Sequence, residues 1–528
     1  MVGIGANGGE VRGEANGGEA SGAARRARRG HKGGETGGGP RQTSYHRLVN
    51  PFRPQDLVSA DAIEAIHANA LRILAELGIR VLLPEAVAVF AAAGALVGAE
   101  RQIVRIGPEI IAAALRSAPA AFTLRARDPR RDVAIGPGTL AFLSGAGCPG
   151  CSDRIRGRRA GSLADFRELT QLIESFDSLH MLTAVVEPQD CAVQRRHYDT
   201  MQVQLEVSTK VPFIYARGRA QVEDSFEMLA LALGLGSEFA AAPRCYTVIN
   251  SNSPRQLDIP MAQGIIDFAR AGQMTMITPF CLMGAMAPVT LAGALSLQHA
   301  EALAGIALAQ LVRPGAPVLY GAFATNVDMK SGAPAFGTPE HVKASLISGQ
   351  LARHIGLPWR GSGGAASNTA DAQGAHETEL AMWGALLGGA NLTVHAAGWL
   401  EGGLTLGYEK LITDLEMLQV MAELCVPVAA GADELAFAAI AGVPPGGHFF
   451  AADHTMARYR SAFYQPLVAD LSNFGQWSEG GRLRADERAT LVWQQRLAHF
   501  EAPVGAGAAA VAQFVADRVA AGGALPVS

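Results

Sequence analysis

Eight short apolar runs, recurring at intervals of roughly 30 to 45 residues, limit what this chain can fold into more than any other feature. They are LAFLSG (140–145), HMLTAVV (180–186), PFIYAR (212–217), RCYTVIN (244–250), MTMITPF (274–280), PVLYGAF (317–323), PWRGSG (358–363) and NLTVHAAG (391–398). Segments with helical periodicity separate them, at 163–175, 195–207, 222–233, 261–271, 292–311, 339–354 and 377–387. Strands that are apolar almost throughout are covered on both faces, as in a parallel sheet. Eight βα units of this size predict an α/β protein built on a (β/α)₈ TIM barrel over about 139–425. An open, doubly wound sheet is the competing arrangement. No G-x-G-x-x-G follows a strand, which weakens a dinucleotide-binding version of it.

The flanks read differently. Residues 1–44 form a glycine-rich tail with one basic cluster, Arg25 to Lys32, and no apolar periodicity, so disorder is expected there. Residues 45–137 form an N-terminal helical and hairpin section. A helix spans 56–78 with Ile63, Ile66, Ala70, Leu74 and Leu77 on one face, and the strand IRVLL follows. Further helices lie at 85–93 and 108–117, and a hairpin at 122–135 turns around Asp128-Pro129. With 138–425 taken as the catalytic barrel domain, residues 426–528 make a C-terminal helical extension, with a last helix near 485–497 and fraying expected from 520 onward.

A net charge of −4 speaks against nucleic acid as a partner. No hydrophobic leader and no apolar run of membrane-spanning length is present, so a cytoplasmic location without a membrane partner is expected. Six cysteines in so long a chain fit reduced thiols.

Barrel enzymes work at the C-terminal ends of their strands. Those ends carry many neutral donors, several aromatic rings and few carboxylates grouped as ligands, and the densest stretch is Pro358–Lys410. Cys148 and Cys151 have C-x-x-C spacing, but nothing completes a tetrahedron, so no metal is expected. No nucleophile elbow appears. Gly361, Gly363 and Gly364 could cradle a phosphate, although Asp371 and Glu377 nearby would repel it. His376 sits among Asp371, Gln373 and Glu377, which favours a functional role. His395, inside an apolar strand, is as well explained by packing. Trp399 beside Glu401 suits a cation at the mouth, or simply a closed loop.

At GSGGAASNTADAQGAHE and NLTVHAAGWLEGGLTLGYEKLITDLEM the chain resembles the trimethylamine methyltransferase family, in particular members that lack pyrrolysine and act on quaternary amines such as glycine betaine. ILAELGIRVLLPEAVAVFAAAGALV is similar to the family's opening helix–strand–helix. The resemblance implies a barrel that moves a methyl group from a quaternary amine to the Co(I) centre of a separate, cognate corrinoid protein. The chain then binds no cofactor directly; the cobalamin is carried by the partner. A homo-oligomer is expected. Only standard residues occur, which speaks against trimethylamine itself.

By the match to GAHE, His376 is the first candidate for a catalytic, substrate-contacting residue. A quaternary nitrogen makes no hydrogen bonds, so rings and carboxylates should hold it: Phe142, Tyr215, Phe323, Trp359 and Trp399, with Glu187 or Glu401 as counter-charge. Arg217, Asn250, Asn252 and Asn326 could bind a betaine carboxylate, and Asn368 and Gln373 complete the expected substrate site. Two alternatives are a barrel lyase or aldolase acting on a phosphorylated or carboxylated substrate, with Lys210 or Lys330 as its amine, and a non-catalytic betaine-binding protein.

Overall fold

All eight apolar runs become staves of one closed barrel in the computed structural model, which describes residues 45–98, 102–503 and 507–527. The glycine-rich tail and its basic cluster lie outside them. Strands β1 (Thr139–Phe142), β4 (Tyr246–Ile249), β5 (Met274–Ile277), β6 (Val318–Gly321), β7 (Trp359–Ser362) and β8 (Leu392–Val394) are regular. From β4 to β8 each strand pairs in parallel with the next, and Leu392 opposite Ala141 carries the sheet from β8 back to β1. The remaining staves, β2 at 180–186 and β3 at 211–214, are held by sparser bonds: His180 N–H to Phe142 O (2.9 Å), Leu182 N–H to Val211 O (3.0 Å) and Ile214 N–H to Tyr246 O (3.0 Å). Pro212 has no N–H to give the ladder, which thins it at β3. Closure rules out the open sheet.

Each stave leads to a helix: α1 (Leu163–Glu174), α2 (Arg196–Val207), α3 (Arg219–Leu233), α4 (Ile259–Arg270), α5 (Leu291–Val312), α6 (Pro339–His354), α7 (Ala372–Leu387) and α8 (Tyr408–Leu424). Helix α5 is long and apolar enough to cross a membrane by composition, yet 83% of that window is buried. Its all-round apolarity has a simpler cause: α4 and the N-terminal helices Ala60–Arg72 and Pro108–Ser117 pack over it.

The hairpin Phe122–Leu124/Val133–Ile135 seals the bottom of the barrel. Leu124, Val133 and Ile135 join Met181, Val211, Met274 and Leu319 in one core. At the top, the wall is raised by parallel strands Phe280–Met283 and Phe323–Val327, and by a four-stranded sheet that pairs Gly150–Asp153 with Thr405–Gly407.

Two expectations at the C-terminus change. A helix at Ala508–Ala520, unforeseen, packs on α3 and α2. The segment after it is tied down instead of frayed: Gln221 donates to Ala524 O (2.8 Å) and Val527 N–H to Arg217 O (2.9 Å).

Candidate active site

Arg360 is the second residue of β7, a strand covered on both sides. Its neighbour Trp359 faces the helix layer, so alternation turns Arg360 into the barrel, where it is 1% exposed. The guanidinium carbon stands 4.8 Å from the centroid of the Phe323 ring, just beyond the end of β6. Nη1 reaches Ala322 O only at 3.4 Å, and buried Nε has no partner. Among the described residues no carboxylate forms an ion pair with it. Burial lowers its pKa to about 9, which leaves it charged at neutral pH. Folding seldom leaves a buried cation with so little company.

Aromatic rings close around that cation. β8 is followed by His395, whose backbone is left-handed (φ +61) and whose buried ring stacks on Trp399 at 3.9 Å and 10°. Phe323 lies 5.1 Å from His395, and Phe336 lies 4.9 Å from Trp399. Phe280, half-buried, flanks Phe323 at 4.7 Å. The Trp399 indole fits because two glycines make way for it. A Cβ on Gly364 (φ +110) or on Gly403 (φ +107) would lie 2.3 Å from its ring, so neither position tolerates a side chain.

Two imidazoles complete the cage, and both are neutral. Burial first, then the Arg360 charge, pushes His341 down to about 4 and His395 well below the ordinary range. His341 Nδ1 accepts from Gly337 N–H at 3.2 Å; His395 Nδ1 is buried without a partner.

The glycine-rich loop after β7 is not a phosphate cradle. The amides of Ala366 and Ser367, which could have faced an anion, donate to the Glu377 carboxylate at 2.8 and 2.9 Å. Helix α7 then begins five residues before the position read from sequence, because Asp371 caps it through Gly374 N–H (3.1 Å). His376 and Gln373 are therefore helical and solvent-exposed; Gln373 bonds Glu377 (2.8 Å). His376 is thus on the exposed surface of the helix, whereas the cage is buried.

The other residues singled out by sequence scatter. Phe323 and Trp399 are cage walls. Phe142 and Trp359 are buried in the layers between strands and helices. Tyr215 lies beneath Arg217, 4.5 Å from its guanidinium. Glu187 is claimed by Arg217 (2.6 and 3.0 Å) and by Arg196. Burial raises the Glu187 pKa, but the two guanidiniums outweigh it and hold the carboxyl below its ordinary value. Neither Glu187 nor Arg217 is thus a free partner for substrate. Glu401 is likewise paired, with Arg158 at 2.9 Å. Asn252 bonds Asp258 (3.1 Å), and Asn326 accepts from Thr338 (2.9 Å). Asn250 and Asn368 are exposed.

Cys148 and Cys151 are free and buried, and the described residues hold no group of three side chains suited to a metal. Of the two candidate amines, Lys210 precedes β3 at the bottom of the barrel, and Lys330 is exposed on a loop above it. Sequence reasoning missed Arg360, Phe336 and His341. One signal was available: an arginine inside a strand whose two faces must both be covered.

A profile of the trimethylamine methyltransferase (MTTB) family matches residues 23–523. A glycine betaine methyltransferase of Desulfitobacterium hafniense (strain Y51) is 35% identical over 450 residues, 85% of this chain and 93% of that protein. The trimethylamine methyltransferase MttB of D. hafniense (strain DSM 10664 / DCB-2) is 30% identical over 433 residues, 82% and 87% of the respective chains. The crystal structure of the Methanosarcina barkeri monomethylamine methyltransferase MtmB shares the fold, with a TM-score of 0.50 at 9% identity over 85% of this chain and 90% of that one. The eight-stave barrel with its aromatic mouth is thus the scaffold of a methyltransferase, and the chain belongs to the trimethylamine methyltransferase family.

Proposed function

We propose that this chain moves a methyl group from glycine betaine, or a closely related betaine, to the Co(I) centre of a cognate corrinoid protein. One observation carries the choice of substrate: a buried, unpaired guanidinium beneath a cage of rings. A betaine offers both charges that such a site lacks. Its carboxylate pairs with Arg360, by two parallel N–H···O bonds at best. Its trimethylammonium group lies against the faces of Trp399, Phe323 and His395, which attract a cation without hydrogen bonds. Neutral trimethylamine would leave Arg360 unpaired. A substrate held by its carboxylate on Arg360 directs its methyl groups away from that residue.

The corrinoid, arriving on its carrier, supplies the nucleophile. This chain's residues therefore bind, orient and exclude water. The N–CH₃ bond breaks with its electron pair remaining on nitrogen, and the amine leaves neutral. No proton has to be delivered, which agrees with two neutral imidazoles at the cage. We assign the orienting role expected of His376 to Arg360, with His341 and His395 as walls. Carbonyl-capped Lys210 and surface Lys330 give a lyase no amine at this cage. The six free cysteines, five of them buried, support a reducing cytoplasm.

The test is demethylation of glycine betaine, choline, tetramethylammonium and trimethylamine in the presence of reduced corrinoid carrier, with calorimetry alongside. Turnover of glycine betaine well above choline is expected. Tight betaine binding without turnover would make the chain a binder, and neither binding nor turnover of any betaine would sink the proposal.

A further inference from the structure

Outside the aromatic cage, a second group of buried polar atoms lacks partners. Beyond the end of β3 a cavity of about 40 Å³ is lined by Arg196, His197, Tyr215, Arg217, Gln221 and Pro526. Arg196 and His197 open α2, Gln221 lies in the first turn of α3, and Pro526 belongs to the tied-down C-terminal segment. Among the described residues, Arg196 Nε and both ring nitrogens of His197 are buried without a hydrogen-bond partner. The Tyr215 hydroxyl, near Glu187 but not bonded to it, is in the same position. His197 is 4% exposed, and burial pushes its pKa down to about 4. Its ring is therefore neutral, with one N–H donor and one acceptor.

Charge, donors and helix ends all suit an anion better than water. The guanidiniums of Arg196 and Arg217 share one carboxylate, Glu187, which is not part of the lining. One positive charge is left over, and a buried charge without a counter-charge is destabilising. Three donors, Arg196 Nε–H, Tyr215 O–H and one His197 N–H, stand against a single ring-nitrogen acceptor. An acceptor-only ion resolves that imbalance, whereas water gives as many hydrogen bonds as it takes. The first turns of α2 and α3, neither with a side-chain cap, add the positive ends of two helix dipoles. A water needs about 10–15 Å³, so the cavity has room for a chloride or a formate and not for a trimethylammonium group.

We propose that this cavity binds one small monovalent anion, of chloride or formate size, which locks the C-terminal segment onto the barrel. The lock follows from the lining. Pro526 forms part of the wall, Gln221 donates to Ala524 O (2.8 Å), and Val527 N–H donates to Arg217 O (2.9 Å). Gln221 and Arg217 thus line the cavity and grip the segment at once. The site is complete only with the segment in place, so anion and segment stabilise each other.

The experiment is hydrogen exchange of the full chain at constant ionic strength, with chloride, bromide or formate exchanged for isethionate, which is too large for the cavity. Crystals grown with bromide locate the ion by anomalous scattering. At an anion concentration about ten times its Kd, exchange at 521–527 should slow about ten-fold. One bromide should lie between Arg196, His197 and Tyr215. A response to the halides alone or to formate alone supports the proposal and names the ion. Tyr215→Phe is the discriminating variant. An unpartnered hydroxyl contributes little, so its melt without added anion should match wild type, while its anion affinity should fall about ten-fold. His197→Phe, read in the same way, covers the case in which that variant does not fold. Exchange that ignores the anion, a folded Tyr215→Phe chain that responds like wild type, or bromide seen in the crystal without effect in solution would overturn the proposal.

Discussion

The two ends of the barrel each bury a basic side chain, and they treat it in opposite ways. Lys210, at the bottom, is 1% exposed, and its Nζ gives hydrogen bonds to Ile173 O (2.5 Å) and Phe176 O (2.8 Å). Those carbonyls lie at the C-terminal end of α1, where a helix presents partial negative charge. Arg360, near the mouth, is equally buried, yet has one long bond and an orphaned Nε. At the bottom the fold supplies acceptors for its own amine. At the mouth it leaves the guanidinium without a carboxylate, and under the proposed function the substrate supplies one. The difference separates a satisfied basic group from an unsatisfied one, although both would be counted alike by burial.

Replacing Arg360 tests this contrast hardest. Arg360→Gln should lower kcat/KM for glycine betaine by about 100- to 1,000-fold, the cost of about 3–4 kcal/mol expected when one member of a buried charged pair is truncated. Its unfolding free energy should stay level or rise by about 1 kcal/mol, because a buried charge has been removed. Single-turnover demethylation and urea melts give the two numbers. A variant that keeps its activity would move the carboxylate site elsewhere.

Trp399→Leu comes next. Loss of one ring face from the cation should raise KM about 10-fold with a smaller change in kcat, in line with about 1–2 kcal/mol for a desolvated cation–π contact. The same assay across pH sharpens the reading. With His341 held near 4 and His395 well below its ordinary range, neither imidazole titrates near neutrality. The profile of kcat/KM should therefore show no histidine inflection between about pH 5 and 8. An inflection near 6.5 would mean that one of them is charged and active.

Much of the fold was legible because burial on both faces leaves a plain mark. Every apolar run from LAFLSG to NLTVHAAG is a stave, including the two irregular ones, and the helices end within a few residues of their expected limits. The site was less legible. Phe323 and Trp399, named from their places at strand ends, do stand together in the ring cluster. Glu187, Arg217 and Glu401 lie beyond strand ends as expected, but arginines take both carboxylates, a pairing that sequence spacing does not show. His376 looked like a loop residue because Asp371, the residue that caps α7, was grouped with the polar cluster instead of being read as a helix start. Arg360 was hidden in a strand, where alternation gives no sign of which face is the interior when both are apolar.

At the other end of the barrel, Lys210→Met should leave betaine turnover within about 2-fold and cost about 1–3 kcal/mol near pH 9, because two carbonyls lose their donor. The pH dependence has a definite sign. Burial first, outweighing nearby Glu174, lowers the Lys210 pKa to about 7 from 10.5. Below pH 7 the folded state must hold a buried charge. Between about 7 and 10.5 the unfolded chain still binds the proton that the folded one has released, so stability from this group rises with pH, by at most about 1.4 kcal/mol per unit. The advantage of wild type over the variant should thus grow from pH 6.5 to 9 in urea melts. An advantage that stays level over that range would show that Lys210 keeps its proton in the fold, as Arg360 does.

The smallest effect is expected at His376. An exposed imidazole on the second turn of α7 has little to lose by truncation, and His376→Ala should change kcat/KM for glycine betaine less than about 2-fold, with stability within about 0.5 kcal/mol. The useful comparison is with Glu377→Gln, one residue on. That carboxylate holds the amides of Ala366 and Ser367 and so shapes the loop that carries Gly364 against Trp399. A neutral amide still accepts, but less strongly, so KM should rise a few-fold while kcat stays near wild type. If His376→Ala instead produced the larger loss, the exposed face of α7 would be where the methyl acceptor docks. Salt dependence of the rate would then separate a docking defect from a defect in the cage.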